Sequence, residues 1–180
     1  MKIIGFVGIQ DSNGMDPVWK HFGSAFEEQF PGATFCAERR SYDFWQIWKM
    51  WTYRNEIVAK YDTGEDVVFV GHSMGAMVAF AAASRFKKSK VWEVVTINAP
   101  HHFLFGIFTL INWCVPVKSP VLSTSGRYDE VIPWGTRYSK AATHIVLPIN
   151  HHRDLMKNFL GIAEEIAKAA RKVFEKARRE

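Results

Sequence analysis

Short apolar runs alternate with stretches of helical period along the whole chain. Runs rich in β-branched residues fall at Lys2–Val7, Thr34–Ala37, Val67–Val70, Val91–Ile97, Val121–Ser125 and His144–Ile149. Val67–Val70 is apolar at every position, the pattern of a strand buried on both faces. Between the first two runs, Asp16-Pro17 opens a helix that puts Val18, Trp19, Phe22, Ala25 and Phe26 on one face, and Pro31-Gly32 stops it. A second helical period runs from roughly Phe44 to Tyr61 and ends at Thr63-Gly64. Gly75–Phe86 is an alanine-rich helix, and a last amphipathic helix runs from near Arg153 toward the C-terminus. Strands that alternate with helices predict an α/β domain: a three-layer α/β/α sandwich around a mostly parallel six-stranded sheet.

At 180 residues, the chain is expected to form a single domain, 1–180. A hydrophobic share of 48% supplies a core, and Lys+Arg 23 against Asp+Glu 18 leaves a net charge of +5. That excess is too small to indicate nucleic acid, and no nucleic-acid partner is expected. The two cysteines, Cys36 and Cys114, cannot build a disulfide framework or a thiolate zinc site. The seven histidines lack metal-site spacing such as H-E-x-x-H, so no metal and no other cofactor is expected. The apolar start Met1–Gly8 is too short for a secretory leader, and the uncharged stretch His101–Val117 is too short for a membrane span. A cytoplasmic protein is the expectation.

One motif carries chemistry. Asp66–Val70 leads into Gly71-His72-Ser73-Met74-Gly75, and the alanine-rich helix follows. The G-x-S-x-G spacing between a buried strand and a helix has a steric cause. The serine sits on a strained, very tight turn that lifts its hydroxyl above the sheet, and a side chain at either glycine would clash across that turn. The helix N-terminus then aims N–H groups at the same point, favouring a developing negative charge. The plainer alternative is a serine that only caps the helix.

A serine nucleophile needs a base, and the base needs an orienting carboxylate. Both follow in order. Asp129 lies in the loop after Val121–Ser125, with Glu130 as competitor, where an Asx-turn is the bland alternative. After His144–Ile149 come His151 and His152, and His152, nearer the final helix, is the preferred base over His151. His72, inside the nucleophile turn, reads as structural. Gly8 permits close backbone approach, so the Ile9 N–H is expected to join that of Met74 as an oxyanion donor, with Gln10 as runner-up. His101 and His102 follow another strand end and are candidates to line the pocket with Gln10 and Phe103.

At these residues the chain resembles serine hydrolases of the α/β-hydrolase superfamily, over nearly its whole length. The matching elements are Gly71–Gly75, the G-x-x-D-x-x-x-P-like stretch Gly126–Pro133, and His152 before a terminal helix. Its first strand leads straight to the oxyanion loop. It is similar in this to minimal, nearly lidless lipases and esterases, and to small serine hydrolases related to the retinoblastoma-binding group. Asn98–His102 is similar to the T-P-H-x-G stretch of lipases and lipid-remodelling deacylases, with Ala99 replacing threonine and Phe103 replacing glycine. The first loop has Val7-Gly8 in place of the usual H-G pair. The resemblance implies a minimal α/β-hydrolase fold and hydrolysis of a carboxylic ester by Ser73, His152 and Asp129 through an acyl-enzyme, with a thioesterase, an amidase or a non-catalytic binding protein as alternatives.

Two apolar segments leave a choice. Residues 101–117 form a short cap segment that lines an acyl pocket, touches a membrane or makes a dimer contact, or else is a core helix. The stripe Phe44, Trp45, Trp48 and Trp51 reads best as helical core. The basic last helix, with Lys168, Arg171, Lys172, Lys176, Arg178 and Arg179, is either a solvated face or a peripheral membrane contact. The expected partner is a small acyl-ester substrate, and the expected state is a monomer or weak homodimer.

Overall fold

A computed structural model describes residues 1–8, 16–38, 49–101, 117–127, 129, 138, 140–148 and 159–180. Its elements in chain order are β1 (Lys2–Phe6), α1 (Asp16–Gln29), β2 (Thr34–Glu38), α2 (Lys49–Tyr61), β3 (Val67–His72), α3 (Met74–Ala83), β4 (Val91–Ile97), β5 (Val121–Ser125), β6 (Thr143–Val146) and α4 (Phe159–Ala177). The six strands form one sheet in the order β2-β1-β3-β4-β5-β6. Every adjacent pair is parallel.

The strand order fixes the layers. The chain steps outward from β1 to β2, then returns to the other side of β1 with β3 and proceeds to β6. Crossovers of a single hand put helices on opposite faces when the direction of travel reverses. Accordingly α1 and α4 share one face, where Trp19, Phe22, Phe26, Ile166 and Phe174 cover Ile3, Val68, Val70, Val95 and Ile97. On the other face, Tyr53 and Ile57 of α2 and Met77 and Phe80 of α3 cover Ile4, Phe6, Phe69 and Val94. The reversal falls between β1 and β3, and the carboxyl ends of strands at such a switch point are where open α/β sheets bind ligands.

Helix α3 is buried from Met74 through Ala82, which its run of alanines permits: small side chains let it lie close on the sheet. Trp51 departs from the expectation of core. It is 42% exposed, and the Arg54 guanidinium lies 4.7 Å from its ring centroid. A cation over an aromatic face holds that ring at the surface, while Tyr53 and Ile57 supply the buried face of α2. Phe44, Trp45 and Trp48 lie outside the described residues. On α4 the charged face carries i,i+4 pairs, Arg171–Glu175 at 2.8 Å and Lys168–Glu164 at 3.5 Å. Among the described residues, no helix is long and apolar enough to cross a membrane.

Glu93 is a charge-bearing residue inside this core. The β3–β4 register shifts so that Val67 pairs with Val91 and Val68 with Glu93, which makes Trp92 the extra residue of a bulge. The Glu93 side chain is fully buried, and neither oxygen has a hydrogen-bond partner among the described residues. Burial holds its carboxyl well above the usual carboxylate range, so the folded state keeps a proton that the unfolded chain releases. Below the unfolded value of 4.5 both states are protonated and stability is undiminished. As pH rises from there toward the folded value, stability falls, by at most about 1.4 kcal/mol per pH unit for one proton. Glu93→Gln stays neutral and lacks this loss. Urea unfolding from about pH 4 to 8 should therefore show a stability difference between variant and parent that opens steadily with pH. Parallel pH profiles would show that Glu93 is not the source.

Candidate active site

The reactive turn is built by exclusion. Ser73 follows β3 directly, with φ 51° and ψ −124°, a left-handed backbone that serine rarely adopts. The two flanking glycines make the turn geometrically feasible. A Cβ on Gly71 would fall 2.4 Å from Ala76 Cα, and one on Gly75 would fall 2.4 Å from Phe6 O and 2.5 Å from Val7 O. Gly71 thus lets the strand run against the start of α3, and Gly75 lets α3 press on the end of β1. The Ser73 N–H donates to Ile97 O at 2.8 Å, tying the turn to the end of β4.

The Ser73 side chain makes no capping bond to α3, which removes the reading of a serine that only caps its helix. Ser73 is 9% exposed. Met74 opens α3, so its N–H belongs to the first turn, whose donors point outward at the serine's end of the helix. The arrangement combines a hydroxyl held at a forced angle with a helix dipole beneath it. His72, the last residue of β3, is 2% exposed, and strand alternation places it on the α1–α4 face.

The loop that carries Asp129 is anchored through Asn98. This residue follows β4, is fully buried and has φ 45°, a conformation that asparagine tolerates better than most residues. Its N–H donates to Thr124 O at 3.0 Å, and its Oδ1 accepts from Gly126 N–H at 2.8 Å. Asn98 thereby clamps the start of the loop that carries Asp129 to the same strand end that holds Ser73. Asp129 itself is half-buried, three residues beyond Gly126.

Beneath these loops lies a polar row that sequence reading missed. Thr96, Ser123 and His144 are aligned across β4, β5 and β6. His144 Nε2 lies 3.2 Å from Ser125 Oγ and its Nδ1 3.3 Å from Ser123 Oγ. The His101 ring packs on Phe80 and Tyr138, with centroids 5.5 and 5.0 Å away, and its Nε2 lies 3.1 Å from Thr96 Oγ1. Burial first, and neighbouring His144 second, push His101 down to about 3, so it stays neutral at ordinary pH. The only local signal for this row was a hydroxyl at alternate strand positions, and it acquires meaning only once the strand register is known.

The structure therefore places Ser73, Met74, Asp129 and His101. Ile9, Gln10, His102, Phe103, Glu130, His151 and His152 lie outside the described residues.

Comparison with known proteins follows this geometry. The PGAP1-like alpha/beta domain family matches residues 46–106, the third of the chain that contains the nucleophile turn. No curated protein matches the chain in sequence. Among solved structures, the chain is similar to the esterase domain of a Rhodothermus marinus protein (TM-score 0.63, 15% identity, 94% of this chain and 86% of that one). It is also similar to the type II thioesterase of the yersiniabactin NRPS/PKS pathway (TM-score 0.60, 14% identity, 96% and 94%). A third likeness is to the monoacylglycerol lipase of Paleococcus ferrophilus (TM-score 0.56, 12% identity, 93% and 94%). Identities this low establish a shared architecture, and with the all-parallel sheet and the strained serine turn they give the conclusion: this chain has the α/β-hydrolase fold.

Proposed function

We propose that the protein is a serine hydrolase that cleaves carboxylic esters. The observation that carries this reading is the left-handed backbone at Ser73, held between two glycines whose every substituent would collide with backbone. A strained residue of this kind persists only where the surroundings over-determine it, and such residues cluster at active sites. An esterase domain, a lipase and a thioesterase among the structural neighbours support hydrolysis as the reaction class.

In this reading Ser73 Oγ attacks the acyl carbonyl while His152 takes its proton. Asp129 holds the imidazole in the required tautomer, and the N–H groups of Met74 and Ile9 receive the negative oxygen. The acyl-enzyme is then hydrolysed by water that His152 activates. Gln10, His102 and Phe103 line the acyl side, with the uncharged segment 101–117 forming its wall.

Turnover of p-nitrophenyl esters of graded chain length, beside acyl-thioesters and aminoacyl amides, tests the substrate class. Preference for the ester series supports the reading, and turnover confined to thioesters or amides replaces it. The base is tested separately. His152→Ala is expected to lower kcat by about three orders of magnitude or more, and His151→Ala far less. The reverse order would exchange their roles.

A further inference from the structure

At the end of the sheet opposite Ser73 lies a groove of about 1470 Å³. One long wall is the exposed stripe of α4, running from Gly161 through Glu165, Lys168 and Lys172 to Lys176 at three- to four-residue spacing, with Glu180 just past the helix end. At 1.5 Å per residue that wall is about 23 Å long. The floor is formed by Phe86, Val91, Trp92, Val117, Pro120 and Ile145, all half-buried apolar side chains with one face open. The rim is cationic: six exposed lysines, at 90, 118, 140, 168, 172 and 176, stand against three glutamates, at 164, 165 and 180. Lys168 pairs with Glu164 and Lys176 with Glu180, and Lys90 lies over the Trp92 ring. Lys118, Lys140 and Lys172 have no ion pair among the described residues.

We propose that this groove docks an acidic amphipathic helix of a partner protein. Shape and charge select that occupant together. A helix is about 10 Å across, and a 23 Å length of it has a volume of roughly 1800 Å³, of the same order as the groove. Its apolar face would cover the open floor while its acidic flanks meet the three uncompensated lysines. A flat bilayer cannot follow a concave floor, a single acyl chain would leave most of the groove wet, and a nucleic-acid backbone gains nothing from apolar side chains flanked by glutamates. The groove lies at the opposite end of the strands from the reactive turn, so a docked partner leaves Ser73 open to substrate.

The test is fluorescence anisotropy with a labelled helical peptide of about 18 residues, leucine on one face and glutamate on the other. Two controls are a peptide with lysine in place of glutamate and a scrambled peptide of the same composition. Binding of the acidic peptide, weakened by salt between about 50 and 500 mM, is the expected result. The surface variant Lys118→Glu/Lys172→Glu should weaken it by about tenfold or more with an unchanged circular dichroism spectrum. Equal binding by the scrambled peptide or by the variant would overturn the proposal, as would no binding at all. Flotation with phosphatidylserine vesicles, lost in the variant while the peptide fails to bind, would assign the surface to lipid instead. None of these readouts depends on ester hydrolysis.

Discussion

Ser73→Ala is expected to lower ester turnover by at least about three orders of magnitude and to abolish covalent labelling by a fluorophosphonate probe. The expectation rests on one atom. An alanine at this position keeps the Cβ and meets the same backbone strain, and the native hydroxyl makes no capping bond that the variant would lose. Stability should therefore change by no more than about 0.5 kcal/mol. That separation gives the test its force: a folded, unlabelled, inactive variant isolates the hydroxyl as nucleophile. If the variant retained its rate, or if the parent stayed unlabelled from about pH 6 to 9 around the reference histidine pKa, the hydrolase reading would be wrong.

Gly75→Ala should be, with Gly71→Ala, among the most damaging single-carbon additions at the described glycines. The new Cβ would lie 2.4 Å from one carbonyl oxygen of β1 and 2.5 Å from the next, and neither can swing aside as a flexible side chain would. β1 is held on both sides, by β2 and by β3, so relief has to come from α3 lifting off the sheet. Forcing a group into a packed site of this kind costs about 3 kcal/mol or more. The lifted helix also moves the Met74 N–H, the oxyanion donor in the proposed mechanism, and there a misplacement of about 1 Å would cost on the order of a hundredfold in rate. Gly161→Ala serves as a control, because its Cβ would meet nothing within 4 Å on α4. There, alanine should raise stability by up to about 1 kcal/mol. Urea midpoints and ester turnover read both effects, and a Gly75→Ala protein as stable and active as its parent would disprove the steric account of the turn.

The architecture was legible in the sequence because burial on both faces writes continuous apolar runs. β3, β4 and β5 stand where Val67–Val70, Val91–Ile97 and Val121–Ser125 announced them. β6 runs Thr143–Val146 and stops short of the expected Ile149. From Leu147 the chain is no longer paired as strand, although Leu147 N–H still reaches Ser125 O. The nucleophile turn was legible because its requirements are local: two glycines, one serine, a strand before and a helix after. What stayed hidden depends on register. Glu93 sits in a valine-rich run, and nothing in its immediate neighbours marks its carboxyl as fully buried. Asn98 gains its role only because Gly126, 28 residues later, comes within 2.8 Å of its side chain. The Thr96–Ser123–His144 row exists only across three aligned strands. Trp51 misled for the opposite reason: its spacing fitted a buried stripe, while a neighbouring arginine keeps it at the surface.

The hydrogen bond from Ser73 N–H to Ile97 O has a kinetic corollary. The bent serine borrows an acceptor from β4, its helix leans on carbonyls of β1, and the loop bearing the carboxylate is pinned through Asn98 after β4. No contiguous stretch of chain contains these supports, and parallel pairings of such long sequence separation form slowly. During synthesis, the Ser73 turn would thus gain these supports only once β4 and β5 dock, and a nascent chain ending before Asn98 would carry the motif without them.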